Sequence, residues 1–410
     1  MKENSKFDCS LIGLGYIGLP TAAVIACLTK MKVLGVDINE QVVEMTNNGN
    51  PHIIEPKLDD FIDKAVSNNK LIASQKPYFS DIFIITVPTP IIKEKDFLPK
   101  PDLRYVFQAA ESIVPFLKKG NLILLESTCP VGTTRLLSSF FQKKTGFNEK
   151  DIFIAYCPER VLPGNIIYEL ENNDRVIGGI NQSSTKKAYN FYAQFCKGKI
   201  WETNSETAEM VKLSENSYRD VNLAFANELS IICDQKNINV RELIKLANKH
   251  PRVNILQPGC GVGGHCIAVD PWFIISNSPN SSPLIKTARE VNENKIIWSI
   301  NKIKSLIKKF KHENKRDPIL GFFGITFKPD VEDLRNSPAL EIVEAISNEN
   351  HEVIVCDPNI KSYKNLNLSD TKNIIEKSDL IILLVSHSIF KNISFKNKTT
   401  LDLCGNICDT

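Results

Sequence analysis

Apolar residues fall into two rhythms along this chain. Through its first part, short apolar runs of strand length (8–12, 32–36, 81–87, 121–126 and 152–156) alternate with stretches whose apolar residues recur at helical spacing. Strands alternating with helices in this way predict a series of crossover units and a parallel sheet. From about 205 to 250 the strand rhythm disappears. Positions 207–232 carry apolar residues at helical spacing with neither Pro nor Gly, and 282–310 forms a second helical stretch. Two helices of this length, with so little sheet between them, are expected to bury a face against a second copy of the chain, giving a homodimer. The segment 308–317, KKFKHENKRD, reads as a solvated linker. After it the strand rhythm returns at 319–323, 352–357, 379–386 and 399–403. The expected division is 1–204, 205–310 and 311–410.

The first strand runs into LIGLGYIG, with Gly13, Gly15 and Gly18 bracketing Tyr16 and Ile17. A helical run comes next, and the second strand ends in Asp37 about 20 residues on. Strand, glycine turn, helix and distant acid together form the dinucleotide fingerprint, whereas the glycines alone would describe only a turn. The pyrophosphate sits where unpaired N–H groups and the helix dipole favour negative charge. Asp37 would accept hydrogen bonds from the adenosine ribose and repel a 2′-phosphate, so NAD is the expected cofactor. The fold class is α/β, with two Rossmann-like parallel-sheet domains joined by a long-helix dimerisation core. The second such domain has a degraded glycine turn at Gly321 and Gly324.

Later strands deliver polar, Pro-rich loops at their carboxyl ends: VPTP (87–90), STCPVGTT (127–134) and CPERVLPG (157–164). Ligands bind at this edge of an open α/β sheet, so Thr89, Ser127, Thr128 and Glu159 are expected to line one crevice. Any one of these loops taken singly is an ordinary connection. Further on, GCGVGGHCIAVD (259–270) sets Cys266 behind a glycine-rich loop and four residues ahead of Asp270. Gly261, Gly263 and Gly264 would let the backbone approach a ligand closely. A cysteine there acts as a nucleophile if its pKa falls below the free value of about 8.5. A buried structural thiol beside a tight turn fits the spacing equally well.

Composition narrows the partners. The formal charge of +3 balances 50 basic against 47 acidic residues, so no nucleic acid or other polyanion is implied. No N-terminal apolar leader and no run of about 18 apolar residues is present, so no membrane partner is expected and the chain reads as cytoplasmic. Eleven cysteines without C-x-x-C pairs imply neither a disulfide framework nor a metal site.

GLGYIGLP, the CPER loop, a K-x-x-x-N helix (Lys212, Asn216), GVGGHC and FKPDVEDLR occur in order over nearly the whole chain. In this the chain resembles the UDP-glucose/GDP-mannose dehydrogenases, which oxidise the C6 alcohol of a nucleotide sugar to a carboxylate in two NAD-dependent steps. The resemblance implies an NAD-binding domain, a helical dimerisation core bearing the cysteine loop, and a C-terminal UDP-binding domain. It implies that Cys266 is the nucleophile, passing through a thiohemiacetal to a thioester. Lys212 and Asn216, one helical turn apart and by spacing alone an ordinary solvated face, become a clamp for the developing alkoxide. Asp270 becomes the acid/base partner, and Thr128 and Glu159 position its water and the cofactor. Arg160, Val161, Arg252, Asn254, Gly263, His265, Lys328 and Arg335 match positions that contact the UDP-sugar. An Arg335–Asp333 pair is the structural alternative for the last of these. His265, adjacent to Cys266, could also lower the thiol pKa.

Around the sugar pocket the chain is most similar to members acting on UDP-N-acetyl-D-mannosamine. The alternative substrate is UDP-N-acetyl-D-glucosamine or its galacto epimer. Val269 stands where glucose-specific members carry a lysine. Two other classes fit less well: an epimerase with tightly held NAD would not need Cys266 and has no Tyr-x-x-x-Lys pair to use here, and a silent sensor would not need Lys212 and Asn216.

Overall fold

The structure, a computed structural model, describes residues 7–92, 94, 98–395 and 398–405. The chain separates into two compact units. One runs to Ser214 and takes in Trp272–Asn277; the other comprises Glu215–Pro271 and the residues from Ser278 onward.

The first unit is built on an eight-stranded sheet. Its strands lie in the order Ile200–Asn204, Arg175–Gly179, Phe153–Tyr156, Leu122–Leu125, Ser80–Ile85, Phe7–Ile12, Val33–Val36, Leu71–Ser74. Inner strands are apolar at consecutive positions because both faces are covered. Leu122 and Leu124 pack into one core with the Gly18–Leu28 helix, while Ile123 and Leu125 pack into the opposite one. That helix is apolar all round and buried through most of its length, as a helix enclosed on every side must be.

Two strands of this sheet, Arg175–Gly179 and Ile200–Asn204, carry no sequence pattern that marks them. RVIGG ends in two glycines, which weaken a strand signal. Here they are sterically required: a Cβ at Gly178 would stand 2.1 Å from the Asn204 carbonyl oxygen. Arg175–Gly179 also pairs antiparallel with Phe153–Tyr156, so the sheet is parallel only up to this edge.

In the second unit a five-stranded sheet is parallel throughout, in the order Asn367–Leu368, Val353–Cys356, Leu320–Phe323, Leu380–Leu383, Thr399–Asp402. The long helix Ser205–Gln235 crosses from the first unit into the second. It stops at a turn where Asn237 has φ +54° and Asn239 caps the Val240–Ala247 helix through the N–H of Arg241. The second long helix, Pro283–Asn314, overruns the linker expected at 308–317. Lys, Glu and Phe in that segment are adequate helix formers, and Lys311 and His312 favour the negative end of the helix dipole. The helix ends only at Lys315, whose φ is +56°.

A buried polar ladder ties the two long helices together. Arg289 donates to Asp220 at 2.6 Å, and Asn292 donates to the same carboxylate at 2.8 Å. Asn227 in turn donates to Asn292 at 2.9 Å and accepts the N–H of Gly259 at 3.0 Å. The base of the cysteine loop is thereby pinned to the helix pair. No helix among the described residues is long and apolar enough to cross a membrane.

Candidate active site

The glycine turn of the first unit is shaped by contacts that admit no side chain at two of its three glycines. Gly13 has φ +101°, and a Cβ at Gly18 would lie 1.9 Å from the Gly13 carbonyl oxygen. At Gly15 the same atom would meet nothing within 4 Å, so this glycine faces open space. Tyr16 is exposed beside it, and Ile17 lies at the start of the Gly18–Leu28 helix, which has no side-chain cap and no acid in its first turn. Such an end offers N–H groups and positive potential to a phosphate. Asp37 accepts the N–H of Leu14 at 2.9 Å and that of Asn39 at 2.9 Å. An NAD molecule fits this set: turn, uncapped helix end and ribose acid are all present.

The loops after the later strands are held by carboxylates that no motif announces. Glu209 is buried and accepts from Gly132 N–H at 2.6 Å, Thr134 N–H at 2.8 Å and the Thr134 hydroxyl at 2.6 Å. It caps the Thr133–Thr145 helix and so fixes the loop bearing Ser127 and Thr128. Burial raises its pKa against the pull of those donors. Glu55 does the same for the CPER loop, accepting from Gly164 and Ile166 N–H, each at 2.8 Å. Neither acid belongs to a motif, so only the folded chain shows what they cap. Ser127 donates to the Val87 carbonyl at 2.7 Å, joining two of the loops, and Thr89 is half-buried nearby in sequence.

In the CPER loop Glu159 is buried, 3.2 Å from the Arg175 guanidinium, and its main-chain oxygen accepts the Lys212 ammonium at 2.8 Å. The structure thus brings Lys212 and Glu159 together. Arg160 reaches the Asp174 carbonyl at 3.2 Å, and Val161 packs partly buried against the core.

In the second unit Asn216 donates to Asp270 at 2.6 Å, both side chains being buried. Asp270 opens the Asp270–Asn277 helix, and its N–H bonds the Cys266 carbonyl at 2.8 Å. One short contact therefore orients the acid that opens the helix four residues after the half-buried cysteine. The glycines of the loop pack against protein. A Cβ at Gly263 would stand 2.3 Å from the Asn336 carbonyl oxygen, and one at Gly264 2.8 Å from the Phe327 ring. At these two glycines the loop backbone packs closely on the 327–338 segment.

His265 lies with its Nδ1 3.9 Å from Asp333. Arg335 also pairs with Asp333, through Nε at 2.9 Å and Nη2 at 2.6 Å. Lys328 is half-buried; burial lowers its pKa, the Arg219 charge lowers it further, and Asp333 and Cys266 oppose them. Arg219 is a further cation of this neighbourhood, unmarked in sequence because it is one exposed position on a long helix. Arg252 and Asn254 are exposed in the turn after the Val240–Ala247 helix.

Comparison with known proteins bears on these features together. Residues 7–196 match the NAD binding domain of the UDP-glucose/GDP-mannose dehydrogenase family, 206–294 its central domain and 321–409 its UDP binding domain. The chain belongs to this family. It is an NAD-dependent nucleotide-sugar dehydrogenase. It is 50% identical to the UDP-N-acetyl-D-mannosamine dehydrogenase of Campylobacter jejuni over 93% of this chain and 95% of that one. It is 46% identical to the NDP-N-acetyl-D-galactosaminuronic acid dehydrogenase of Ralstonia solanacearum over 97% of this chain and 95% of that one. Among solved structures, the UDP-N-acetyl-mannosamine dehydrogenase of Staphylococcus aureus superposes with a TM-score of 0.88 at 41% identity, covering 99% of this chain and 96% of that one.

Proposed function

We propose that this enzyme oxidises UDP-N-acetyl-D-mannosamine at C6 to UDP-N-acetyl-D-mannosaminuronate, removing four electrons. The observation that carries the substrate is the 50% identity with a UDP-N-acetyl-D-mannosamine dehydrogenase over 93% of the chain. NAD, when bound, accepts the hydride in each of two oxidations. The first takes a hydride from C6 and a proton from its hydroxyl, giving the aldehyde. The Cys266 thiolate then adds to the aldehyde carbon, and the resulting alkoxide is stabilised by Lys212 and Asn216. Loss of a second hydride from the same carbon leaves a thioester. Water, ordered by Thr128 and Glu159 with Asp270 as its acid/base partner, adds to the acyl carbon. The C–S bond breaks, the thiolate leaves, and the carboxylate forms with release of two protons from the water. Arg160, Val161, Arg252, Asn254, Gly263, His265, Lys328 and Arg335 are the proposed contacts of the UDP-sugar, and Gly13, Gly15, Tyr16, Ile17, Gly18, Asp37, Thr89, Ser127 and Thr128 those of NAD.

The proposed working form is a cytoplasmic homodimer with three functional regions at 1–204, 205–310 and 311–410. Tyr218, Phe225 and Ile232 support the dimer: they are exposed by 70%, 53% and 44% at seven-residue spacing on one helix.

The 46% identity to the galactosaminuronic acid enzyme favours a second reading, in which the galacto epimer is the substrate. Side-by-side kinetics with the manno, gluco and galacto UDP-N-acetyl sugars separate the two. The manno sugar is expected to give the highest kcat/KM and two NADH per sugar. One NADH per sugar at a limiting-substrate endpoint would refute the thioester route.

A further inference from the structure

Behind the CPER loop the first unit buries a set of charges that no sequence pattern marks. Arg175 is 4% exposed, a full positive charge in the core. Its Nη2 lies 3.2 Å from Glu159 Oε2 and donates to the Leu170 carbonyl at 3.2 Å, while its Nη1 lies 3.7 Å from Cys157 Sγ. Its guanidinium also sits 4.9 Å from the centre of the Tyr192 ring. The Tyr192 hydroxyl donates to Glu126 Oε1 at 2.6 Å. Glu126, 4% exposed, leads directly into Ser127 and Thr128.

A buried guanidinium needs a negative partner, and a buried pair of carboxyls cannot both ionise cheaply. The surroundings decide which one does. Burial first, and then the negative charge of Glu159, push the Glu126 carboxyl up to about 7, with Arg175 and the Tyr192 hydroxyl opposing. The groups facing Glu126 are Tyr192, Arg175, Glu159, Cys157 and Cys9. Glu126 can therefore hold a proton while Glu159 takes the guanidinium. Glu159 is held at both ends: its carboxylate by the Arg175 charge at Oε2 and by the Arg160 N–H, which donates to Oε1 at 2.7 Å, and its main-chain oxygen by Lys212.

We propose that Arg175, backed by Glu126 and Tyr192, is a positioning residue that fixes the Glu159 carboxylate for ordering the hydrolytic water. This rests on the role given to Glu159 in the proposed function. It makes a specific demand on the kinetics. Misplacing Glu159 slows thioester hydrolysis and leaves the hydride steps before it intact.

Rapid-mixing measurements of Arg175→Lys and Arg175→Met test this. Displacement of a positioned group by about 1 Å costs roughly a hundredfold in rate. Both variants should show a burst of NADH on mixing, then steady turnover lowered up to about a hundredfold for Met and less for Lys, which keeps the charge. KM for the sugar should fall along with kcat and kcat/KM should stay within about twofold, because slowing a step after the thioester forms lowers kcat and KM together. A variant with the wild-type ratio of burst to steady rate overturns the proposal.

A second measurement does not depend on turnover or on the Arg175 variants folding. Infrared absorption of protonated carboxyls in the resting protein should show a group titrating near 7, absent in Glu126→Gln. In Glu159→Gln its midpoint should fall, because a negative neighbour has been removed. In Tyr192→Phe it should rise, because the ionised form loses a donor. An unmoved midpoint in Glu159→Gln overturns the linkage. Failure of the wild type to make NADH from any UDP-N-acetyl sugar would instead count against the proposed function, and the infrared result would still decide the network.

Discussion

The two sheets of this chain begin with the same turn and use it differently. In the first, Gly13 has φ +101°, bonds the Val36 carbonyl at 2.8 Å, and is followed by Leu14, whose N–H is accepted by Asp37. In the second, Gly324 has φ +83°, bonds the Cys356 carbonyl at 2.8 Å, and is followed by Ile325, whose N–H is accepted by Asp357 at 2.8 Å. Each acid stands just past the end of its sheet's second strand and accepts a further N–H two residues on, from Asn39 and Asn359. Up to this point the two turns are one design.

Beyond the glycine the two diverge. After Gly13 a helix starts almost at once, at Gly18, and its uncapped end is available to a phosphate. After Gly324 the helix waits until Pro338, and the intervening loop carries Lys328, Asp333 and Arg335. Asp37 is half-buried, whereas Asp357 is buried against His387 at 3.2 Å. Asp330 N–H donates to His387 Nδ1, which leaves Nε2 to carry the proton toward Asp357. The second turn has turned its acid inward. It offers side-chain cations where the first offers backbone N–H groups. A compact point charge or a guanidinium fork suits a terminal or bridging phosphate as well as a helix end does.

The largest expected effect separates the chemistry of one unit from the cofactor turn of the other. Cys266→Ala should abolish uronic acid formation, while the NAD dissociation constant measured by fluorescence titration stays within about twofold. Normal acid yield from the Ala variant would remove the cysteine from the reaction.

Next come the glycines of the two turns. A Cβ at Gly324 would stand 2.4 Å from that of Val385. Gly324→Ala should destabilise by about 2–5 kcal/mol, combining a left-handed non-glycine residue with overpacking. Gly15→Ala meets nothing within 4 Å. Its melting temperature should hardly move, while KM for NAD rises about tenfold, equivalent to about 1.4 kcal/mol. Equal thermal shifts in the two variants would show that the turns are not used differently.

Smaller, and dependent on pH, is the effect at Asp357. Burial pushes its carboxyl up, but hydrogen bonds from His387, Ile325 and Asn359 outweigh it and hold the carboxyl below the usual range. A carboxyl depressed in the folded state adds stability above its unfolded value. That stability is lost as pH falls through the folded value. Asp357→Asn should therefore lower the denaturation midpoint at pH 7 and flatten its fall in acid. A parallel acid fall in both proteins would assign that fall to other groups.

Legibility in the sequence divides along the same line. The first turn was readable because its parts are local: three glycines, an adjacent helix and an acid at a fixed distance. The two long helices were readable from unbroken periodicity. Asp357, Glu209, Glu55 and Arg175 were not, because each works through partners distant in sequence or through burial. Glu209 lies 75 residues from Thr134 in the chain, and nothing in its neighbours distinguishes it from a solvated helical glutamate. The two glycine-ended or exposed strands at one sheet edge were hidden for a related reason: their pairing is set by the neighbouring strand, not by their own side chains.

The smallest expected effect is the most specific to the comparison. Asp37 and Asp357 accept equivalent N–H groups, but only the first has carboxylate surface left toward solvent. If that surface receives the adenosine ribose, the charge should exclude a 2′-phosphate placed within a few ångströms of it. Asp37→Ser keeps a hydroxyl that can accept the Leu14 N–H and removes the charge. The ratio of kcat/KM for NAD over NADP should then narrow by about ten- to a hundredfold, the fall coming mainly from NAD. Melting should change little, because Asp37 is not enclosed as Asp357 is. A ratio left unchanged by the substitution would mean that another group reads the ribose, and the resemblance of the two turns would then extend to their acids as well: both would be holding the chain, and neither a ligand.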